Sequence, residues 1–171
     1  MDQKKLRVLS YATSPTILAA VTFLILSFIL SITALQLLIS LLFATILPIS
    51  VIKYFAKRQN TNLDVPEREN RIKPYSLAII IYTVGTFLLF VVHANYIVVG
   101  LMAAYAINTT AMVLITLRWK ISAHAIGLTG PASFIIYVLG PITAPIYLLI
   151  IPIGMIRLKL GIHTIFQVAA F

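Results

Sequence analysis

Long apolar runs alternate with short charged segments along this chain. Three runs contain no Asp, Glu, Lys or Arg: Val8 to Ile52, Pro74 to Leu117 and Ile121 to Ile156. A helix rising 1.5 Å per residue crosses a hydrocarbon core of about 30 Å in about 20 residues, so each run is long enough for two passes. Polar or helix-breaking residues near the middle of each run mark the turns: Ser31 to Gln36, His93-Ala94-Asn95, and Gly140-Pro141. The pattern predicts an all-α, polytopic transmembrane helix bundle of about six spans, near 14–31, 35–53, 75–93, 96–117, 123–139 and 142–156. A further helix starts within 160–171, and residues 1–171 form a single transmembrane domain.

Composition agrees. The chain is 61% apolar and 10% charged, with a mean hydropathy of +1.05, whereas soluble domains carry about a quarter charged residues. It has no cysteine, so no disulfide, thiol nucleophile or thiolate metal site can form. Lys4, Lys5 and Arg7 precede the first apolar run as they would in a secretory signal. That run is much longer than a signal core of about 7 to 15 residues and continues into a second span, which favours a retained segment.

Charge then orients the bundle. The thirteen basic residues fall in Met1 to Arg7, Lys53 to Lys73, Arg118 to Lys120 and Arg157 to Lys159, segments separated by pairs of spans. All of them therefore share one face, which the positive-inside rule makes cytoplasmic, with the N-terminus inside. So basic a chain with such apolar runs is no nucleic-acid binder, and anionic lipid head groups or phosphate are the partners it suits.

Three clusters on that face carry candidate chemistry. In the segment from Lys57 to Lys73, Arg68, Arg71 and Lys73 gather before Pro74. Spacing of three puts the two arginines on one helical face, and their guanidinium forks suit phosphate oxygens. Asp64, Glu67 and Glu69 are the acids placed to pair with these bases, or the segment is a solvated loop. In the second cluster, Arg118-Trp119-Lys120-Ile121-Ser122-Ala123-His124, Ser122 is an N-cap candidate that turns first-turn amide N–H groups toward an anion, with His124 beside them. The plainer reading is a belt of interfacial anchors with Trp119 and Lys120 at the membrane edge. In the third, Arg157 to Gln167, His163 and Gln167 are four apart, so that on a helix Gln167 reaches the imidazole and fixes its tautomer. His93 sits in a turn on the uncharged side and stands apart from this site.

Together these pieces resemble the type 2 phosphatidic acid phosphatase family, the membrane lipid phosphate phosphatases, whose motifs are K-x6-R-P, P-S-G-H and S-R-x5-H-x3-D. Arg157 and His163 reproduce the R-x5-H spacing, with Ile156 in place of the serine and Gln167 in place of the acid. Ile121-Ser122-Ala123-His124 keeps the serine and histidine of the second motif, and Arg68, Arg71, Lys73 and Pro74 stand for the first. The motifs run in family order from Asp64 to Gln167 and share one face.

The resemblance implies a lipid phosphate phosphatase-like fold and a phosphohistidine mechanism without metal or cofactor. His163 would be the nucleophile, His124 the acid for the leaving alkoxide, and Arg157 with Arg71 and Arg68 the phosphate clamp. Lys73, Ser122 and Lys120 would support the phosphate, and Gln167 would orient His163. The substrate would be a membrane lipid phosphate or polyprenyl (di)phosphate, hydrolysed in the cell membrane at the cytoplasmic face. The resemblance also implies a full final helix after His163. The carboxylates are not spaced as the aspartate motifs of magnesium-dependent membrane prenyltransferases. The alternative is a non-catalytic relative that binds anionic lipid head groups through the same basic face. A transporter subunit would carry an ionisable residue within a span, and the three runs contain no Asp, Glu, Lys or Arg.

Overall fold

The computed structural model describes residues 2–61, 63, 65 and 67–169, so Asp64 lies outside the described residues. Their regular secondary structure is all helical, without a strand among them. Helix α1 (Gln3–Ala12) begins at an Asp2 cap, whose carboxylate accepts from the Lys4 amide at 3.3 Å. It is amphipathic: Leu6 and Ser10 face inward while Lys4, Lys5, Arg7, Val8 and Leu9 face out. Pro15 opens α2 (Pro15–Leu30), and the two helices bend by 44° across Thr13 and Ser14. Thus the basic N-terminus, expected only to flank a span, is itself a folded helix.

After Ser31, held at φ 49°, Thr33 and Gln36 form a reciprocal cap for α3 (Ala34–Leu41). The chain widens into a π-helical turn at Leu42–Ile46 and continues as α4 (Leu47–Arg58). Pro48 accounts for the widening. It has no N–H to give to the preceding turn, and its ring crowds the carbonyl four residues back. Helices α5 (Glu69–Val91) and α6 (Tyr96–Thr116) form the central hairpin, joined through His93 at φ 51° and an Asn95 side-chain cap on the Ile97 amide at 2.9 Å. Helix α7 (Ala123–Leu139) ends at Gly140, whose φ of 90° favours glycine. Pro141 and Pro145 then hold Pro141–Leu149 as a tighter 3-10 helix before α8 (Ile150–Lys159). A short α9 (Ile165–Ala169) follows.

Four helical stretches are long and apolar enough to cross a membrane: Ala34–Arg58, Glu69–Val91, Tyr96–Thr116 and Pro141–Lys159. The bent α1–α2 pair makes a fifth if it counts as one span. Helix α7, with 17 residues, is about 25 Å long at 1.5 Å per residue and falls short of a full crossing on its own. The six spans expected from the sequence are thus reached only in part: four helices are long enough, the bent pair makes a fifth if counted as one, and α7 is too short. The apolar core lies where α2, α5 and α6 meet, with Phe23, Leu26, Leu89, Leu101 and Met102 almost fully enclosed.

Candidate functional site

The basic end of the bundle is tied together through backbone carbonyls. Arg71 enters α5 one turn before the span predicted from the sequence. It is 2% exposed, donates from Nε to the Val65 carbonyl at 2.7 Å and from Nη1 to the Ile121 carbonyl at 2.9 Å. Lys120 donates from Nζ to the Ile162 carbonyl at 2.6 Å, and Arg68 from Nη1 to the Leu117 carbonyl at 3.1 Å. Apart from the local bond to Val65, each joins segments that the sequence separates by a pair of helices, so all three expected clusters do meet at one end.

Four of the expected residues line one cavity of about 160 Å³: Arg71, His124, Arg157 and His163. Arg157 leaves the last turn of α8, His124 stands in the first turn of α7, and His163 lies in the turn before α9. Each of these side chains is buried. Away from this cationic end the walls turn apolar and aromatic, through Tyr75, Met112 and Pro131 to Tyr82 and Tyr105. Those two rings are packed at 5.6 Å between centroids. Tyr82 lies about 16 Å from Arg71 along α5 at 1.5 Å per residue, so the cavity reaches from the basic end well into the bundle.

His163 has the environment of a neutral imidazole. Neither ring nitrogen has a hydrogen-bond partner among the described residues. Burial first, and then the charges of Arg71, Arg157, Lys120 and His124, push its pKa down to about 2. The ring is therefore uncharged near neutral pH, with a lone pair beside two guanidinium groups. Burial and the same two arginines also lower Lys120, with Glu67 opposing.

Several expected roles are different. Gln167 does not hold His163: its Oε1 accepts from the Thr164 amide at 3.1 Å while Thr164 Oγ1 accepts from the Gln167 amide at 3.4 Å, a reciprocal cap on α9. The reason is that Gly161, at φ 67°, interrupts the helix, so His163 is not on the turn below Gln167. Ser122 is the N-cap of α7 as expected, accepting from the Ala125 amide at 3.4 Å, but its own N–H is donated to the Gln167 carbonyl at 3.0 Å. These groups are engaged within the protein rather than turned to an anion. Lys73 faces outward, and Arg68 is half-buried outside the cavity wall.

Sequence reasoning missed Ser10. It is fully enclosed, accepts from Arg157 Nη1 on its Oγ at 2.6 Å, and meets His124 Nε2 with its carbonyl oxygen at 3.0 Å. A small polar residue four positions from Leu6 on a short amphipathic helix was the available signal. Among the described residues no three His, Cys, Asp or Glu side chains cluster as metal ligands would. No family model, curated protein or solved structure matches this chain.

Proposed function

We propose that this integral membrane protein is a phosphatase that hydrolyses a lipid phosphate or polyprenyl (di)phosphate through a phosphohistidine on His163. The observation that carries this reading is the cavity itself: an uncharged, unpartnered imidazole lies beside buried Arg157 and Arg71, with an apolar and aromatic passage leading away from them. Arginines supply what phosphoryl transfer needs most, fixed positive charge around oxygens whose negative charge is spread in the transition state. A lipid tail fits the passage toward Tyr82 and Tyr105, with its phosphate at the basic end.

In the proposed reaction a ring nitrogen of His163 bonds to phosphorus as the ester P–O bond breaks. His124 gives the departing alkoxide its proton. Water then attacks the phosphohistidine, giving its proton to His124 as the N–P bond breaks, which releases inorganic phosphate and restores both histidines. The resemblance to type 2 phosphatidic acid phosphatases in Arg157-x5-His163 and Ser122-Ala123-His124 points the same way. By the positive-inside rule the site opens at the cytoplasmic face of the cell membrane.

A second reading, a non-catalytic lipid-binding relative, is favoured by one observation: Gln167 is engaged in capping α9, so it supplies His163 with no orienting or charge-stabilising partner. Phosphate release by the protein in detergent, without added metal, from phosphatidic acid and a polyprenyl diphosphate separates the two. Release that His163→Ala abolishes supports the phosphatase. Binding of these lipids without release by the folded protein, unchanged in His163→Ala, selects the binding relative.

A further inference from the structure

Arg157 and His124 both line the cavity, and each is held on its far side by one residue of the N-terminal helix. Ser10 does not line the cavity, although its neighbours Tyr11 and Ser14 do. Its Oγ accepts from Arg157 Nη1 at 2.6 Å, a charge-assisted bond at the short end of the range. Its carbonyl oxygen lies 3.0 Å from His124 Nε2. A carbonyl only accepts, so Nε2 carries the hydrogen of that bond, and the Ser10 hydroxyl oxygen lies 3.5 Å from the same nitrogen.

The bend between α1 and α2 is what frees that carbonyl. In a continuous helix the amide of Ser14 would bond to Ser10 four residues back. Here the Ser14 N–H turns to the Tyr11 carbonyl at 3.1 Å, at the 44° break before Pro15. The Ser10 carbonyl is among the last four of α1, which have no amide partner within the helix. Besides His124 it accepts a hydroxyl bond from Thr13 Oγ1 at 3.3 Å.

We infer that Ser10 is a positioning residue, which sets the guanidinium of Arg157 and the tautomer of His124 for a phosphate bound in the cavity. The inference rests on the phosphate-site reading above. It assigns the helix before the first full span to the site, in contact with residues 114 and 147 positions away. Ser10→Ala removes the hydroxyl, and with it the bond from Arg157 and the 3.5 Å contact with His124 Nε2, and leaves the carbonyl bond to His124. Ser10→Thr keeps both. Ser10→Asp puts a carboxylate against Arg157 and cancels the charge that a phosphate would meet.

The test is orthovanadate binding by the full chain in detergent, followed by titration calorimetry, with thermal unfolding of each variant alongside. Expected are binding by the unaltered protein, affinity about tenfold weaker in Ser10→Ala, affinity within about threefold of the unaltered protein in Ser10→Thr, and no binding by a folded Ser10→Asp. Equal affinity in Ser10→Ala, including the case in which only its unfolding temperature drops, overturns the positioning role and leaves the phosphate site intact. Should Ser10→Ala not fold, binding by Ser10→Asp at unaltered affinity overturns the role in its place. No binding by the unaltered protein removes the phosphate site, and the role of Ser10 with it.

Discussion

Arg71 Nη1 donates to the carbonyl of Ile121 at 2.9 Å, across the space between the start of α5 and the residue before the Ser122 cap. With the Nε bond to Val65, one buried side chain fastens two connecting segments. Arg71→Lys retains the charge but not a planar fork able to meet both carbonyls. Loss of a buried, charge-assisted bond costs about 1.5–3 kcal/mol. Denaturant unfolding in detergent is expected to show Arg71→Lys destabilised on that scale and Arg71→Ala more so.

Close helix contact gives a second expectation. A Cβ on Gly127 would lie 2.6 Å from Pro15 Cβ and 2.9 Å from Pro15 Cα, so Gly127→Ala forces α2 and α7 apart. Overpacking of this kind costs about 1–3 kcal/mol. A Cβ on Gly100 meets only the Phe134 ring at 3.6 Å, and Gly100→Ala is expected to be neutral or stabilising by up to about 1 kcal/mol, the helix-propensity difference. Paired melting curves of the two variants, moving in different directions, check the packing.

Acid is expected to weaken the fold through His163. The groups that face it, Arg71, Arg157, Lys120 and His124, are all cationic or can become so, and burial adds to them. Unfolded, the ring takes up a proton below about pH 6.5, while in the fold it remains neutral down to about 2. The unfolded state therefore binds more protons across that window, and stability falls as pH falls, by at most about 1.4 kcal/mol per pH unit from this group. Thermal midpoints between pH 7 and pH 4 are expected to drop less steeply in His163→Asn than in the unaltered chain.

Gln167 is expected to behave as a cap. Gln167→Ala frees one end of the Thr164 box and loosens α9 by about 1 kcal/mol, while Gln167→Glu retains the box because a carboxylate accepts the same amide bond. Hydrogen exchange at the amides of 165–169 reads this directly: faster in Gln167→Ala, unchanged in Gln167→Glu.

Much of this arrangement is legible in the sequence. Charge-free runs and their polar breaks place the helices, and Arg157-x5-His163 and Ser122-Ala123-His124 identify three of the four Arg and His residues on the cavity wall; Arg71 completes them from the looser first cluster. What periodicity does not carry is local geometry. A helix continued through Gly161 would have put Gln167 under His163, but one positive φ moves the ring off that turn. Pro48, Pro141 and Pro145 change helical pitch without changing hydropathy, so the π-helical and 3-10 segments are invisible to a window average. Ser10 is missed for a related reason: one serine on a ten-residue helix has no repeat to reveal it.

The bonds from Ser10 to His124 and Arg157 also set a timetable for synthesis. Helix α1 leaves the ribosome well before α8. Contacts so distant along the chain are slow to form, because the intervening loop must close before they offer any return. Until Arg157 has been inserted, Ser10 lacks that distant partner and the cavity lacks one wall. A ribosome-bound fragment ending before α8 thus holds Ser10 and His124 without Arg157, and this end of the cavity is enclosed only once α8 has joined them.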